Sequence, residues 1–499
     1  MDQRSDVVRS SVAGPKSIQQ YIDERPVWAD GTETPTTPLT RMQWRIWRLA
    51  AAGKFFEGMV VFMTGVALPL VSKEFGLAAW EHGLVAAASL FGILVGATTL
   101  GGLADHFGRK SMFITEMVIF TIFLILICFS PNFIWFTLCL LGLGIALGCD
   151  YPTAHMVVSE SNPSQTRGRL VLSAFGFQAV GALTGTAVGY LILANAQSLG
   201  SWRWMYATAI VPAVLVIIGR LYITESPHWL ISRGRIKEAE REALKLLARE
   251  PPYPKEIKLS GAEATSGNAI EADTAQAGWT ALFDRKNRGA TILASVPWFF
   301  QDLSTYAIGI FTPTILAASI GHQKEHPTAI ADIIQNNLLA AKGAAFIDVL
   351  LIIGILFAIW LTDRLGRISL QIFGFVGCAA GLLIAAMSAN FTGAEQIPLI
   401  FSGFMLFNFM NNIGPNAQTY LIAGEVFPTR IRGKGAGFAA SFAKIGAVLT
   451  AFLFPILLAD VSIQMLLYAL GGASLLGALV TWIWRVETAG TNLEHVGRD

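Results

Sequence analysis

Asp105-His-Phe-Gly108-Arg109, at the end of one apolar run, returns as Asp363-Arg-Leu-Gly366-Arg367 at the end of another in the second half of the chain. Two further elements keep step with it. Glu160-x-x-Pro163-x-x-x-Arg167-Gly168 recurs as Glu425-x-x-Pro428-x-x-x-Arg432-Gly433, and Thr224-Glu225 has a counterpart in Glu487-Thr488, all at nearly one spacing. Self-similarity at a fixed offset marks a duplicated architecture. The chain therefore reads as two similar halves.

The segments around these motifs are apolar. Of 499 residues 53% are hydrophobic and only 14% charged, against about 25% charged in soluble domains. A chain this poor in polar residues cannot cover itself with a wettable surface, which argues against a soluble enzyme. Crossing the hydrocarbon core takes about 20 mainly apolar residues. Runs of that kind lie at 50–71, 82–103, 111–130, 134–158, 168–193 and 203–223, and again at 288–317, 343–363, 369–388, 396–422, 433–458 and 461–484. The expected fold is an all-α membrane protein of twelve transmembrane helices in two pseudo-symmetric six-helix bundles. The expected division is an N-terminal segment 1–48, bundles 49–224 and 288–485, a linker 225–287 and a tail 486–499. Within the linker, Arg235-Ile-Lys-Glu-Ala-Glu-Arg-Glu-Ala-Leu-Lys-Leu-Leu247 reads as an amphipathic surface helix.

Arg41, Arg45, Arg48, Arg109, Lys110, Arg167, Arg169, Arg364, Arg367, Arg430, Arg432 and Lys434 fall before the first run and in alternate loops. Short cytoplasmic loops collect such residues, so both termini are expected in the cytoplasm, with the chain multi-pass in the cytoplasmic membrane. The start lacks the basic, apolar and small-residue succession of a cleaved signal. The net charge of +2 gives no basic excess for nucleic acid. Cys128, Cys139, Cys149 and Cys378 all sit in apolar runs and read as packing residues. No cofactor or metal site is expected, and neither a phosphate loop nor a common-depth catalytic constellation is seen.

Two bundles around a midplane site is a transporter architecture. Asp-x-x-Gly-Arg at a helix junction can form ion pairs that hold the halves closed on one side and break in the other state. On that reading Asp105, Gly108, Arg109, Glu160, Arg167, Asp363, Arg367, Glu425 and Arg432 form a gating latch. Gly101-Gly-Leu-Ala-Asp105-His-Phe-Gly108-Arg109-Lys110 resembles the signature loop of the major facilitator superfamily. Its second copy, Thr224-Glu-Ser-Pro227 and Glu487-Thr-x-Gly490-x-x-Leu493-Glu494 extend the resemblance over most of the chain. They are similar to the branch holding sugar porters, organic-ion carriers and phosphate:proton symporters.

An ionisable group at bilayer depth costs about 2.5–3.5 kcal/mol on insertion scales and marks function by default. Glu57, Asp150, Asp302, Asp348 and Lys444 meet that description; Lys54, Lys342 and Glu425 read as close enough to a span end to snorkel. Trp298, Asp302 and Tyr306 share one helix face, which should line a cavity. Asp150-Tyr151-Pro152 sets an acid and a phenol beside a proline, and Gln178 and Asn416 add amides at similar depth.

Gly148-Cys149-Asp150-Tyr151-Pro152, Trp298-Phe-Phe-Gln-Asp302-Leu-Ser-Thr-Tyr306, Gly414-Pro415-Asn416-Ala-Gln-Thr419 and Lys444-Ile-Gly446 resemble the motifs of the phosphate:proton symporter family. The resemblance implies that Tyr151, Gln178, Trp298, Asp302, Tyr306 and Asn416 contact an anion, with Lys444 offsetting carboxylate charge. It also implies proton coupling through Asp150 and Asp302, with Glu57 the acid of the first span. Lys54-Phe-Phe-Glu57-Gly58 departs from the family pattern, because it lacks a second acid and looks more like relatives that carry organic acids. Cys149 stands where a glycine is usual, and His155 is an additional titratable group.

The leading expectation is a proton-coupled symporter of a small anion such as inorganic phosphate, with small-molecule substrate, protons and bilayer as its partners and a monomer as the working unit. A carrier of an organic acid or sugar on the same scaffold is the alternative, and a receptor that binds without transport is the reading from another class.

Overall fold

The computed structural model describes residues 16–25, 36–100, 103–196, 198–248, 257–259, 279–320, 330–391, 395–428 and 431–488. Twelve long helices organise them. The first half holds α1 (Arg41–Phe75), α2 (Ala79–Val95, continued by a π-helical turn Gly96–Leu100), α3 (Arg109–Cys128), α4 (Phe133–Ser161), α5 (Arg167–Asn195) and α6 (Trp202–Leu221). The second holds α7 (Arg288–Ile320), α8 (Ile330–Leu365), α9 (Arg367–Met387), α10 (Gln396–Glu425), α11 (Arg432–Asp460) and α12 (Ile463–Ile483). Eleven are long and apolar enough to cross a membrane. The other, α7, has 33 residues, about 50 Å of helix at 1.5 Å per residue.

The helices overrun the apolar spans at their polar ends. α1 begins at Arg41 rather than near residue 50, because Thr40 and Gln43 form a reciprocal cap: Gln43 N–H donates to Thr40 Oγ1 at 3.1 Å and Thr40 N–H to Gln43 Oε1 at 2.7 Å. Two helices break where backbone bonding is interrupted. α5 bends at Gly176, and α10 divides at Gly414 because Pro415 has no N–H to continue the ladder.

Inside the first half, α1 and α5 approach through glycine. A Cβ on Gly181 would lie 1.9 Å from the Phe55 carbonyl oxygen, and one on Gly185 would lie 2.3 Å from that of Met59. Small residues four apart let backbones touch, which is how helices associate without a hydrophobic drive. The halves meet through α1 with α7, α2 with α11, and α5 with α8, the last two being the same contact with the halves exchanged. Gly65 faces the Ile310 carbonyl and Gly83 that of Phe452, while Thr186 Oγ1 donates to Asp348 Oδ2 at 3.0 Å across the α5–α8 seam.

At the end of the first bundle that carries the repeated loops, the polar segments are built into the fold. The linker stretch expected to be amphipathic is a helix, Ile236–Leu246, burying Ala239, Ala243 and Leu246. The short helix Ile18–Asp23 inserts Ile18 and Ile22 into the same apolar cluster as Ile46, Leu246 and Ile257. Asp23 accepts from Ser164 N–H at 2.7 Å, tying this helix to the α4–α5 turn.

Candidate functional site

All six residues expected to contact substrate, and Lys444 with them, line one cavity between the halves: Tyr151 and Gln178 from the first, Trp298, Asp302, Tyr306, Asn416 and Lys444 from the second. Trp298, Asp302 and Tyr306 reach it because their spacing repeats the helical turn along α7. Asn416 reaches it because the break at Gly414 turns the second segment of α10 inward.

Lys444 is the centre of charge. Its ammonium donates to Asp302 Oδ2 at 3.0 Å and to Tyr306 Oη at 2.8 Å, and lies 4.0 Å from Glu57 Oε1. Glu57 stands just behind the cavity wall and accepts from Tyr151 Oη at 2.7 Å, Gln178 Nε2 at 3.2 Å and Tyr306 Oη at 3.3 Å. Lys54 was expected to snorkel to a span end. It is instead 4% exposed, donates to Glu57 Oε2 at 3.2 Å and lies over the Tyr151 ring, because α1 runs a full two turns beyond the apolar stretch and leaves residue 54 deep inside. Two carboxyls and two ammoniums thus share one buried group, joined by two phenols. Isolated buried charges would be prohibitive, and pairing is what makes them tolerable.

The sequence reading missed the amide side. Gln301 and Thr305 on α7 and Asn412 on α10 also line the cavity. Gln301 Nε2 donates to Thr305 Oγ1 at 2.8 Å and Asn416 Oδ1 at 3.2 Å, and Asn416 Nδ2 donates to Asn412 Oδ1 at 2.9 Å. Uncharged amides do not stand out in an apolar run by cost alone, which is why charge-based scanning passed over them.

Phe175 and Tyr420 close the cavity toward the repeated loops. Their rings stack at 4.5 Å between centroids and 15° between planes, one from each half. A smaller pocket beyond them is lined by Lys54, His155 and Tyr420, so His155 faces that pocket rather than the main one.

Asp150 and Asp348 lie off the cavity. Asp150 accepts from Arg220 Nη2 at 2.9 Å, and Arg220 Nη1 donates to Glu116 Oε1 at 2.8 Å and to the Phe113 carbonyl. Arg220 is fully buried. Glu116 and Arg220 sit in apolar runs and satisfy the same rule that singled out Asp150, but the sequence reading did not name them. Asp348 is held by Thr186 and by Asn408 Nδ2 at 3.4 Å.

Among the described latch residues, the ion pairs Arg109–Glu160 and Arg367–Glu425 each form within one half. Arg109 Nη2 lies 3.2 Å from Glu160 Oε1, whose second oxygen accepts from Ser226 Oγ. Arg367 Nε lies 3.2 Å from Glu425 Oε2, which accepts from Thr488 Oγ1 at 2.6 Å. Glu225 accepts from Lys110 N–H at 3.0 Å, and Glu487 accepts from Arg367 N–H at 3.0 Å and Ile368 N–H at 3.1 Å. Each carboxyl therefore caps the start of α3 or α9, where the helix dipole favours negative charge. Burial nevertheless pushes the Glu225 carboxyl above its ordinary range. Arg167 is within electrostatic reach of Asp23 and Glu160. Lys342 is exposed on α8. The side chains of Asp105, Asp363 and Arg432 lie outside the described residues.

Gly108 (φ +100°) and Gly366 (φ +84°) lead into α3 and α9 in backbone conformations reserved for glycine. A Cβ there would sit 2.6 Å from Glu225 Oε2 or 2.5 Å from Glu487 Oε2. Gly108→Ala and Gly366→Ala are each expected to cost about 1–3 kcal/mol and to lower the melting temperature in detergent. An unchanged melting temperature in both would refute the capping geometry.

Residues 46–499 match the family model described as sugar (and other) transporter. The chain is 27% identical over 463 residues to the inner membrane metabolite transport protein YgcS of Escherichia coli, covering 92% of this chain and 95% of that one. It is 27% identical over 454 residues to the glucose transporter GlcP of Staphylococcus epidermidis, covering 90% and 96%. It is also 27% identical over 524 residues to a Schizosaccharomyces pombe protein, C8E4.01c, provisionally named an inorganic phosphate transporter, covering 92% and 89%. Among solved structures, the inward-open xylose transporter XylE from E. coli superposes with a TM-score of 0.70 at 20% identity, covering 91% of this chain and 99% of that one. The same major facilitator protein, a proton:xylose symporter, in its complex with 6-bromo-6-deoxy-D-glucose gives 0.69 at 19% identity, over 91% and 98%.

Proposed function

The chain belongs to the sugar (and other) transporter family, and on that premise we propose that it is a proton-coupled symporter of a small anion, such as inorganic phosphate, working by alternating access as a monomer. The observation that carries this reading is the buried set of Lys444, Asp302, Tyr306 and Glu57 at the boundary between the halves.

Charge counting supports proton coupling. Glu57 and Asp302 balance Lys54 and Lys444, so the empty site is close to neutral. An anion entering alone would leave an uncompensated buried negative charge, which costs several kcal/mol. A proton arriving on one of the carboxyls removes that cost. Uptake of anion and proton are then linked, and Asp302, which shares Lys444 with the cavity, is the carboxyl best placed to exchange it.

The packing supports alternating access. Each half is internally tied by its own latch cluster, which favours movement as a unit, while the contacts between halves include glycine approaches, the Thr186–Asp348 and Tyr306–Glu57 bonds and the Phe175–Tyr420 stack. The Lys and Arg distribution supports a cytoplasmic side for the latch clusters and both termini, which would set Phe175 and Tyr420 on the cytoplasmic side of the substrate. A carrier of an organic acid or sugar is the second reading, favoured by the amide side of the cavity.

The test is uptake of radiolabelled phosphate into proteoliposomes with the outside acid, for wild type and Asp302→Asn. Accumulation driven by the gradient and lost in Asp302→Asn is the expected result. Absence of phosphate uptake by a folded preparation removes phosphate and leaves the other anions to be assayed.

A further inference from the structure

Asp348 is an acid within a span that neither the cavity nor a cation accounts for. It is 4% exposed near the middle of α8. Its two oxygens meet neutral groups, Thr186 Oγ1 of α5 at 3.0 Å and Asn408 Nδ2 of α10 at 3.4 Å. Among the described residues no charged side chain pairs with it, and the carboxyl answers only to burial and to Thr186. Helices α1, α5, α7, α9 and α10 pack on α8, and their inward titratable groups are engaged elsewhere. Lys54, Glu57, Asp302 and Tyr306 belong to the charged set at the cavity, Tyr420 stacks on Phe175, and Cys378 bonds the Phe407 carbonyl.

An ionised carboxyl so placed is a buried charge without a counter-ion, which proteins avoid by neutralising the group. The count of hydrogens points the same way. Thr186 has one hydroxyl hydrogen, and its oxygen lies 3.1 Å from the Ala182 carbonyl and 3.0 Å from that of Leu183 as well as 3.0 Å from Asp348. A helical threonine gives that hydrogen readily to a carbonyl one turn back. With a proton on Asp348 both bonds form, because the acid then donates to Thr186 Oγ1 and Thr186 donates within its own helix.

The place of this contact gives it a role. Thr186, Asp348 and Asn408 each follow a cavity residue of their own helix, Ala182, Leu351 and Asn412, by about one turn. In all three helices that turn leads away from Phe175 and Tyr420. The aromatic stack thus closes one end of the cavity, and the Thr186–Asp348 bond ties the halves beyond the other end.

We propose that Asp348 is a proton-binding site of the outer gate: protonated, it bonds Thr186 and holds the α5–α8 seam shut, and it returns the proton to the outside when the seam opens. The proposal rests on the reading of alternating access with the latch clusters on the cytoplasmic side, and its proton is distinct from the one exchanged at Asp302. Water entering an open seam solvates the carboxylate, so opening and deprotonation favour each other and acid outside favours closure. Because this proton enters and leaves on one side, it governs how often the outer gate opens and adds nothing to the protons carried with substrate.

The experiment uses the full chain with Cys128, Cys139, Cys149 and Cys378 replaced by alanine. Spin labels are attached at Asn195→Cys, the end of α5, and Leu339→Cys, an exposed position toward the outer end of α8. Distances between them are recorded in nanodiscs without substrate, from acid to alkaline pH, for this background and with Asp348→Asn or Thr186→Val added. Melting in detergent checks that each is folded. The expected result is a longer-distance population that grows at least about threefold toward alkaline pH. In Asp348→Asn, which keeps a donor to Thr186 and has no proton to lose, that population should stay at its acid level throughout. In Thr186→Val, which keeps the shape and loses the partner, it should appear at lower pH. A pH response preserved in Asp348→Asn overturns the proposal, as does a Thr186→Val profile matching the background or a background that pH leaves unchanged. Phosphate uptake under an acid exterior is measured on the same background. Its absence with the Asp348 response intact removes phosphate symport and leaves the outer gate standing.

Discussion

Lys444→Gln is expected to abolish gradient-driven accumulation altogether and to lower stability by about 3–5 kcal/mol, the range seen when one partner of a buried ion pair is removed. The ammonium makes two hydrogen bonds, to Asp302 and Tyr306, in a residue 3% exposed. Without it Asp302 keeps its place with no cation in contact, and Glu57 keeps only Lys54. Melting in detergent and uptake in proteoliposomes read the two effects separately. The double variant Lys444→Gln with Asp302→Asn removes both charges, so it should recover most of the stability and none of the transport. Transport by either variant at the wild-type level would contradict the role given to this pair.

Arg220→Leu is expected to be nearly as damaging to the fold, for a different reason. The guanidinium stands between Glu116 and Asp150, donates to the Phe113 and Leu49 carbonyls, and lies 3.4 Å from the centre of the Phe113 ring. Its loss leaves two buried carboxyls facing each other, again at about 3–5 kcal/mol. The signature to look for is a low yield of folded protein whose surviving fraction binds substrate normally, because none of the three groups lines the cavity. Replacing all three by apolar residues of similar size should recover much of the yield, since a buried triad is often no more stable than well-packed hydrocarbon. A folded but proton-uncoupled Arg220→Leu would show that Asp150 belongs to the proton path, as its place in the sequence motif implies.

The duplicated loops made the two-bundle fold legible, because spacing survives divergence and a membrane allows few alternatives. The cavity was legible through the cost of charge: Asp302, Tyr306 and Lys444 sit at midspan and had to face something polar. Lys54 was misjudged because distance from a span end was measured along the apolar stretch, whereas the helix continues through Arg41–Trp47 and carries residue 54 inward. The partners of the latch residues were not legible for a related reason. A sequence shows that Arg109 and Glu160 repeat as Arg367 and Glu425, and it does not show whether the pair forms within a copy or between copies. Gln301, Asn412, Phe175 and Tyr420 carried no signal, since an amide or an aromatic ring is common in any membrane helix.

The balance of two carboxyls and two ammoniums around the cavity reaches beyond binding. If the halves rock with nothing bound, as the proposed alternating access requires, those four groups change their access to the two aqueous phases while two carboxylates balance two ammoniums. A membrane voltage acts with about 2.3 kcal/mol per elementary charge per 100 mV, and on a neutral set it has no grip. The empty return step should therefore run at the same rate in polarised and depolarised vesicles. Any current recorded during uptake then counts the charge that cargo and protons bring with them, and so measures their ratio directly.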